Sequence, residues 1–122
     1  MNNYVLIFIT VSLTTYAQIV AKHRSMVISA RLPEDAGRTA YLLGMLIDPI
    51  VISCLAAGVA ATLAWFLAIQ KVEIAYAYPF LALTFVLVPV ASIVFLGEPF
   101  RPMQFVAAAI IVLGISLHAL AR

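Results

Sequence analysis

Four stretches of this chain are long and apolar enough to cross a bilayer as helices. Spanning about 30 Å of hydrocarbon takes about 20 predominantly apolar residues. Such stretches run over approximately residues 4–21, 48–70, 74–96 and 102–120. With 66% of its 122 residues hydrophobic and 10% charged, the chain has more apolar surface than a water-soluble domain of this size can hide. Its mean hydropathy of +1.15 agrees. The expected class is therefore an all-α integral membrane protein of four transmembrane helices, in which each segment satisfies its own backbone hydrogen bonds.

Local signals set the boundaries. The first stretch is expected to stop at Lys22-His23-Arg24. The second starts best at Asp48-Pro49, a capping residue followed by proline at the first helical position. Gly97-Glu98-Pro99 stops the third, and Pro102 opens the fourth. Residues 22–47 form a polar loop centred on RLPEDAGR at 31–38, followed by YLLGMLI at 41–47. That last run is too short to span; it reads as an interfacial helix or, preferably, as an early extension of the second helix. The opening MNNYVLIFITVSL lacks a basic n-region and a small-residue cleavage site, so it reads as a retained span. With no internal repeat, residues 1–122 read as one four-helix domain.

Lys22, Arg24, Arg31, Arg38 and Arg101 fall on the side of the first and third loops, against Lys71 and Arg122 on the other. The positive-inside rule makes those two loops cytoplasmic and both termini periplasmic. A net charge of +2 is too small to suggest a nucleic-acid partner. The single cysteine, Cys54, has no partner for a disulfide or a metal site. No phosphate-cradling glycine loop, metal-ligand spacing or nucleophile constellation is present in the sequence, so neither cofactor, metal nor enzymatic activity is expected.

The first helix carries the most informative pattern. Asn3, Ile7, Thr10, Thr14, Gln18 and Lys22 recur at three- and four-residue spacing and share one face. Polar groups facing hydrocarbon are costly. Such a stripe either hydrogen-bonds between helices or walls a polar cavity that ends in a cation. Lys22 and Arg24 suit an anionic headgroup, one as a point charge and the other as a fork, although Arg24 serves equally as a topology marker. In the second helix, Ala56, Ala60, Ala64 and Ala68 at four-residue spacing suggest close packing. Trp65 reads as core or as a cavity wall. In the third, Tyr76, Phe80 and Thr84 share a face and Tyr78 points elsewhere, while Pro79 and Pro89 mark bends. Tyr76, and less readily Tyr78, also reads as an interface anchor. Glu98 sits at the membrane edge with Arg101 close enough in sequence to pair, and no acid lies mid-span, where a proton relay would need one.

Four pieces carry a resemblance: YAQIVAK at 16–22, AWFLAIQKV at 64–72, AYPFLALTFV at 77–86 and LGEP at 96–99. Their order and spacing resemble the drug/metabolite transporter superfamily, within it the small multidrug resistance-like proteins. They are more similar still to the ArnE/ArnF-type subunits implicated in flipping aminoarabinose-phosphoundecaprenol. The resemblance covers about three quarters of the chain and leaves out the loop after the first helix. It marks Gln18, Lys22, Trp65, Tyr78-Pro79 and Glu98-Pro99 as counterparts of family positions. It also implies an EamA/small multidrug resistance-like fold that works as a dimer, with itself or with a similar small subunit. The multidrug exporters place a glutamate in mid helix one where this chain has Thr14, which counts against proton-coupled drug antiport.

The resulting expectation is a bacterial inner-membrane lipid flippase or flippase subunit that moves a polyprenyl-phosphate-linked sugar. Membrane lipids and a second subunit are its partners. Thr10, Thr14, Gln18, Lys22, Arg24, Trp65, Tyr78, Thr84 and Glu98 are the candidate substrate contacts. The alternatives are a proton-coupled exporter of small cations or drugs, and a non-transporting scaffold for a glycosyltransferase.

Overall fold

The computed structural model describes residues 2–99 and 101–121. Arg122, counted in the charge asymmetry, lies outside the described residues, as does Phe100. The chain folds as α1 (Asn3–Arg31), α2 (Gly37–Ile47), α3 (Pro49–Ile69), α4 (Ile74–Ala77), a 3₁₀ stretch (Tyr78–Leu83), α5 (Thr84–Leu96) and α6 (Pro102–Leu120). Four helical stretches are long and apolar enough to cross a membrane: Asn3–Arg31, Pro49–Ile69, Ile74–Leu96 and Pro102–Leu120. The architecture is all-α, as composition requires.

Two boundaries differ from the sequence expectation. Helix α1 does not stop at Lys22-His23-Arg24 but continues to Arg31. Charges mark the membrane edge, and nothing in SMVISAR breaks a helix. What ends α1 is Pro33, which holds Leu32 extended at φ −85°, ψ 148°. Its 29 residues make a rod of about 44 Å, well beyond hydrocarbon thickness. The run 41–47 is not an extension of the second span. It belongs to a separate helix, α2, because Asp48 turns extended (φ −72°, ψ 125°) ahead of Pro49. The start at Asp48-Pro49 is as expected: Asp48 Oδ1 accepts from the backbone N–H of Ile50 at 2.8 Å and of Val51 at 3.2 Å. Gly97 ends α5 in the left-handed conformation, φ 69°, which a side chain would strain.

Helices α1 and α3 pack antiparallel, and three polar rungs mark their register. Thr10 Oγ1 lies 3.3 Å from the Ala61 carbonyl, Tyr16 Oη lies 3.2 Å from Ser53 Oγ, and the Arg24 guanidinium meets Asp48. The buried face of α3 is Val51, Cys54, Ala57, Ala61, Ala64 and Ala68. Ala56 and Ala60, expected on the packed stripe, are exposed. Four residues turn a helix by about 400°, so a strict four-residue repeat drifts about 120° over twelve residues. The alternating three-and-four spacing from Cys54 to Ala68 holds one face, and small side chains there bring the two backbones together.

The tightest packing lies at one end. Leu6, Ile7, Val11, Ala64, Ala68 and Ala77 form the buried cluster, with Ala68 and Ala77 at 0% exposure. At that end Tyr4 Oη and Tyr76 Oη lie 2.7 Å apart, and His118 Nε2 is 2.7 Å from the Tyr76 carbonyl, tying α6 to the bend before Pro79. None of the described residues of α6 is buried.

The packing yields a test. Ala61→Leu should overpack the α1–α3 seam and cost about 1–3 kcal/mol, seen as a lowered melting temperature in detergent. Ala60→Leu, one position away and facing outward, should leave melting unchanged.

Candidate functional site

The polar stripe of α1 does not line one cavity. It passes along several, Gln18 also meeting one between α1 and α3, and the third span separates the two described next. Pro79 cannot donate a backbone hydrogen bond, and the chain takes a 3₁₀ path over Tyr78–Leu83 before resuming as α5. The 3₁₀ stretch faces the upper half of α1, and α5 faces the lower half. Pro89 sits inside α5 without ending it.

The first cavity, of about 430 Å³, is lined by Thr10 and Thr14 from α1, Thr62 and Trp65 from α3, and Tyr78 and Thr84 from the third span. Gly58, Ala61, Pro79, Leu81, Ala82 and Phe85 complete it. The Trp65 and Tyr78 rings meet edge to face, centroids 6.1 Å apart. Three of the threonine hydroxyls give their protons to backbone carbonyls. Thr10 Oγ1 is 2.9 Å from Leu6 O, Thr62 Oγ1 is 2.9 Å from Gly58 O, and Thr84 Oγ1 is 2.8 Å from Leu81 O. Their oxygens therefore remain acceptors, in a setting otherwise apolar and aromatic.

The second cavity, of about 470 Å³, lies between α1, α5 and the start of α6. Gln18 and Lys22 enter it from α1, Ser92 from α5, and Glu98, Arg101 and Gln104 from the segment that opens α6. Lys22 is eight residues, about 12 Å, further along α1 than Thr14. Lys22 stands next to the Arg24–Asp48 rung that marks the first residues of α3, so this cavity is at the membrane edge. Among the described residues, Lys22, Glu98 and Arg101 form no ion pair within 4 Å; Arg24 and Asp48 form the one recorded there. The pairing expected between Glu98 and Arg101 is thus replaced by a shared cavity wall.

Arg24 stands apart from both cavities. Its Nε lies 3.2 Å from Asp48 Oδ2 and its Nη2 is closer still, while Asp48 Oδ1 caps α3. The guanidinium beside Asp48 holds its carboxyl below the usual carboxylate range, helped by the Val51 and Ile50 amides and opposed by burial. Of the nine expected contacts, Thr10, Thr14, Trp65, Tyr78 and Thr84 come together in the first cavity and Gln18, Lys22 and Glu98 in the second. Ser92, Arg101 and Gln104 were not anticipated as site residues. A serine on an apolar helix and a glutamine in a first helical turn were the available hints.

Four helices long and apolar enough to cross a bilayer fit a multi-pass membrane protein. The chain belongs to the EamA-like transporter family, which matches residues 11–120. It is 33% identical over 66 residues to the probable 4-amino-4-deoxy-L-arabinose-phosphoundecaprenol flippase subunit ArnE of Pseudomonas savastanoi pv. phaseolicola. That match covers 54% of this chain and 55% of the relative, so the chain spans about half the length of the curated relative it matches. No solved structure matches the chain.

The Arg24–Asp48 rung gives a pH test with a definite sign. A carboxyl held below its unfolded pKa contributes stability that is present above that value and lost as pH falls through the folded one. Wild-type protein in detergent should melt higher than Asp48→Asn from pH 8 to pH 5, with a constant gap. The gap should close only below about pH 4. Asparagine still caps α3, so the comparison isolates the ion pair.

Proposed function

We propose that this protein is a flippase, or a subunit of one, that moves a polyprenyl-phosphate-linked sugar across the bacterial inner membrane without altering it. The observation carrying this reading is the pair of cavities strung along α1, one charged and at the membrane edge, the other apolar and hydroxyl-lined further in. A lipid-linked sugar phosphate has matching parts. Its phosphate suits Lys22, its sugar hydroxyls suit the Gln18 amide and the threonine oxygens, and its isoprenoid stays in the bilayer beside the open sides of the bundle. The similarity to an ArnE flippase subunit supports the same substrate class.

The protein works as a dimer in this reading, with itself or with a similar small subunit. Four spans leave both cavities open sideways, and a second unit would close them. The Lys22 end is cytoplasmic, as the distribution of Lys and Arg indicates, and both termini are periplasmic.

The test is translocation of a fluorescent undecaprenyl-phosphate sugar between leaflets of proteoliposomes, followed by dithionite quenching of the outer leaflet. Wild-type protein should accelerate exchange over protein-free vesicles, and Lys22→Ala should slow it about tenfold or more. Exchange no faster than in empty vesicles would end the proposal.

One observation favours a second reading enough to test it. Glu98 is the one carboxylate lining either cavity among the described residues, and a cation exporter would need such a group. Under the flippase reading, a pH gradient should drive no uptake of a cationic dye, and Glu98→Gln should change nothing in that assay.

A further inference from the structure

We propose that Arg101 is the second phosphate-holding cation, acting beside Lys22 in the role the sequence suggests for Arg24. The inference deepens the flippase reading and rests on it.

Arg24 is committed elsewhere. Both Asp48 oxygens are engaged, one by the Arg24 guanidinium and one by the first amides of α3, and Asp48 is only 9% exposed. Withdrawing Arg24 toward a ligand would strand a nearly buried carboxylate, and an uncompensated charge of that kind is strongly destabilising. Arg24 also lines neither cavity.

Arg101 reaches the Lys22 cavity from the opposite wall. It is exposed and, among the described residues, makes no ion pair, so binding a ligand there breaks no existing bridge. Lys22 comes from α1, whereas Arg101 comes from the turn before α6, so the two cations approach a ligand from different elements. Their chemistry is complementary: an ammonium supplies a compact charge, and a guanidinium supplies a planar fork that grips two phosphate oxygens.

The start of α6 adds to the same field. Arg101 is the residue that begins this 19-residue helix, Pro102 follows it, no side chain caps the first turn, and no acid lies there. Pro102 brings no amide N–H, the Gln104 N–H donates to the Arg101 carbonyl at 3.0 Å, and Gln104 in that turn also lines the cavity beside the positive end of the helix dipole. Two cations against the single carboxylate of Glu98 leave the cavity with one net positive charge, which suits a phosphodiester carrying one negative charge.

Binding to protein in nanodiscs tests this, with two probes: an undecaprenyl-phosphate-linked pentose and the same pentose on undecaprenol without phosphate. Arg101→Gln should weaken the phosphate probe about tenfold or more, and Arg101→Lys less. Neither substitution should alter binding of the phosphate-free probe. The charge-neutral double variant Arg24→Gln/Asp48→Asn should bind the phosphate probe within about threefold of wild type. Equal binding by wild type and Arg101→Gln, with Lys22→Ala weakened, would overturn the role of Arg101 and leave the flippase reading standing. A loss in the double variant as large as that in Arg101→Gln would return the role to Arg24. If wild-type protein does not bind the phosphate probe at all, the flippase reading fails and this assignment with it. Helical content and melting of each variant, measured alongside, separate loss of binding from loss of fold.

Discussion

Close approach of α1 and α3 is the constraint on which the remaining structure depends. In hydrocarbon there is no solvent-driven reason for helices to associate, so contact must come from dispersion and a few polar bonds. Five positions on α3, Cys54, Ala57, Ala61, Ala64 and Ala68, are small enough to let the backbones near each other. That nearness lets Thr10 share its proton with a carbonyl of the neighbouring helix and lets Arg24 reach Asp48. With these two helices in contact, the third span packs against α1 and α6 against the third span, and the spaces left over include the two cavities.

The two ends of the bundle are built differently. At the Tyr4 end, Ala68, Ala77 and the ring contacts of Tyr4, Tyr76, Phe80 and His118 fill the space between helices. At the Lys22 end the charged cavity opens between α1, α5 and the start of α6, while the Arg24–Asp48 pair keeps α1 and α3 together. The charged cavity and the aromatic packing thus lie toward opposite ends of the bundle. The Tyr–Tyr and His–carbonyl bonds join three elements at the closed end, so that end cannot part without losing both bonds.

Much of this was legible in the residues. Apolar run lengths gave the four spans, Asp48-Pro49 gave the start of α3, and Gly97 gave the end of α5. Of the α1 stripe, Thr10, Thr14, Gln18 and Lys22 line cavities, whereas Ile7 lies in the buried cluster. Three features were not legible, each for a physical reason. Charges at 22–24 mark where a membrane ends and not where a helix ends, so α1 ran on to Arg31. A four-residue repeat looks like one face over a turn or two but drifts around the helix, so Ala56 and Ala60 were misplaced. The ion pair of Arg24 and the cavity shared by Lys22 and Arg101 depend on which helices become neighbours. Asp48 is 24 residues from Arg24, and Lys22 is 79 from Arg101, and no local pattern carries such information.

The 3₁₀ stretch has a geometric consequence for the charged cavity. A 3₁₀ helix turns 120° and rises about 2.0 Å per residue, against 100° and 1.5 Å in an α-helix. Over the six residues of Tyr78–Leu83 the difference amounts to about a third of a revolution and about 3 Å of height. The winding of a segment near one membrane face thus determines the azimuth and depth of α5 near the other. Val88, Ser92 and Leu96 point at the Lys22 cavity because those six residues are wound tightly. Wound as an α-helix, the same sequence would present a different side of α5 to Lys22. The bend at Tyr78-Pro79 is in this sense a phase-setting element for a cavity wall about three to five turns away.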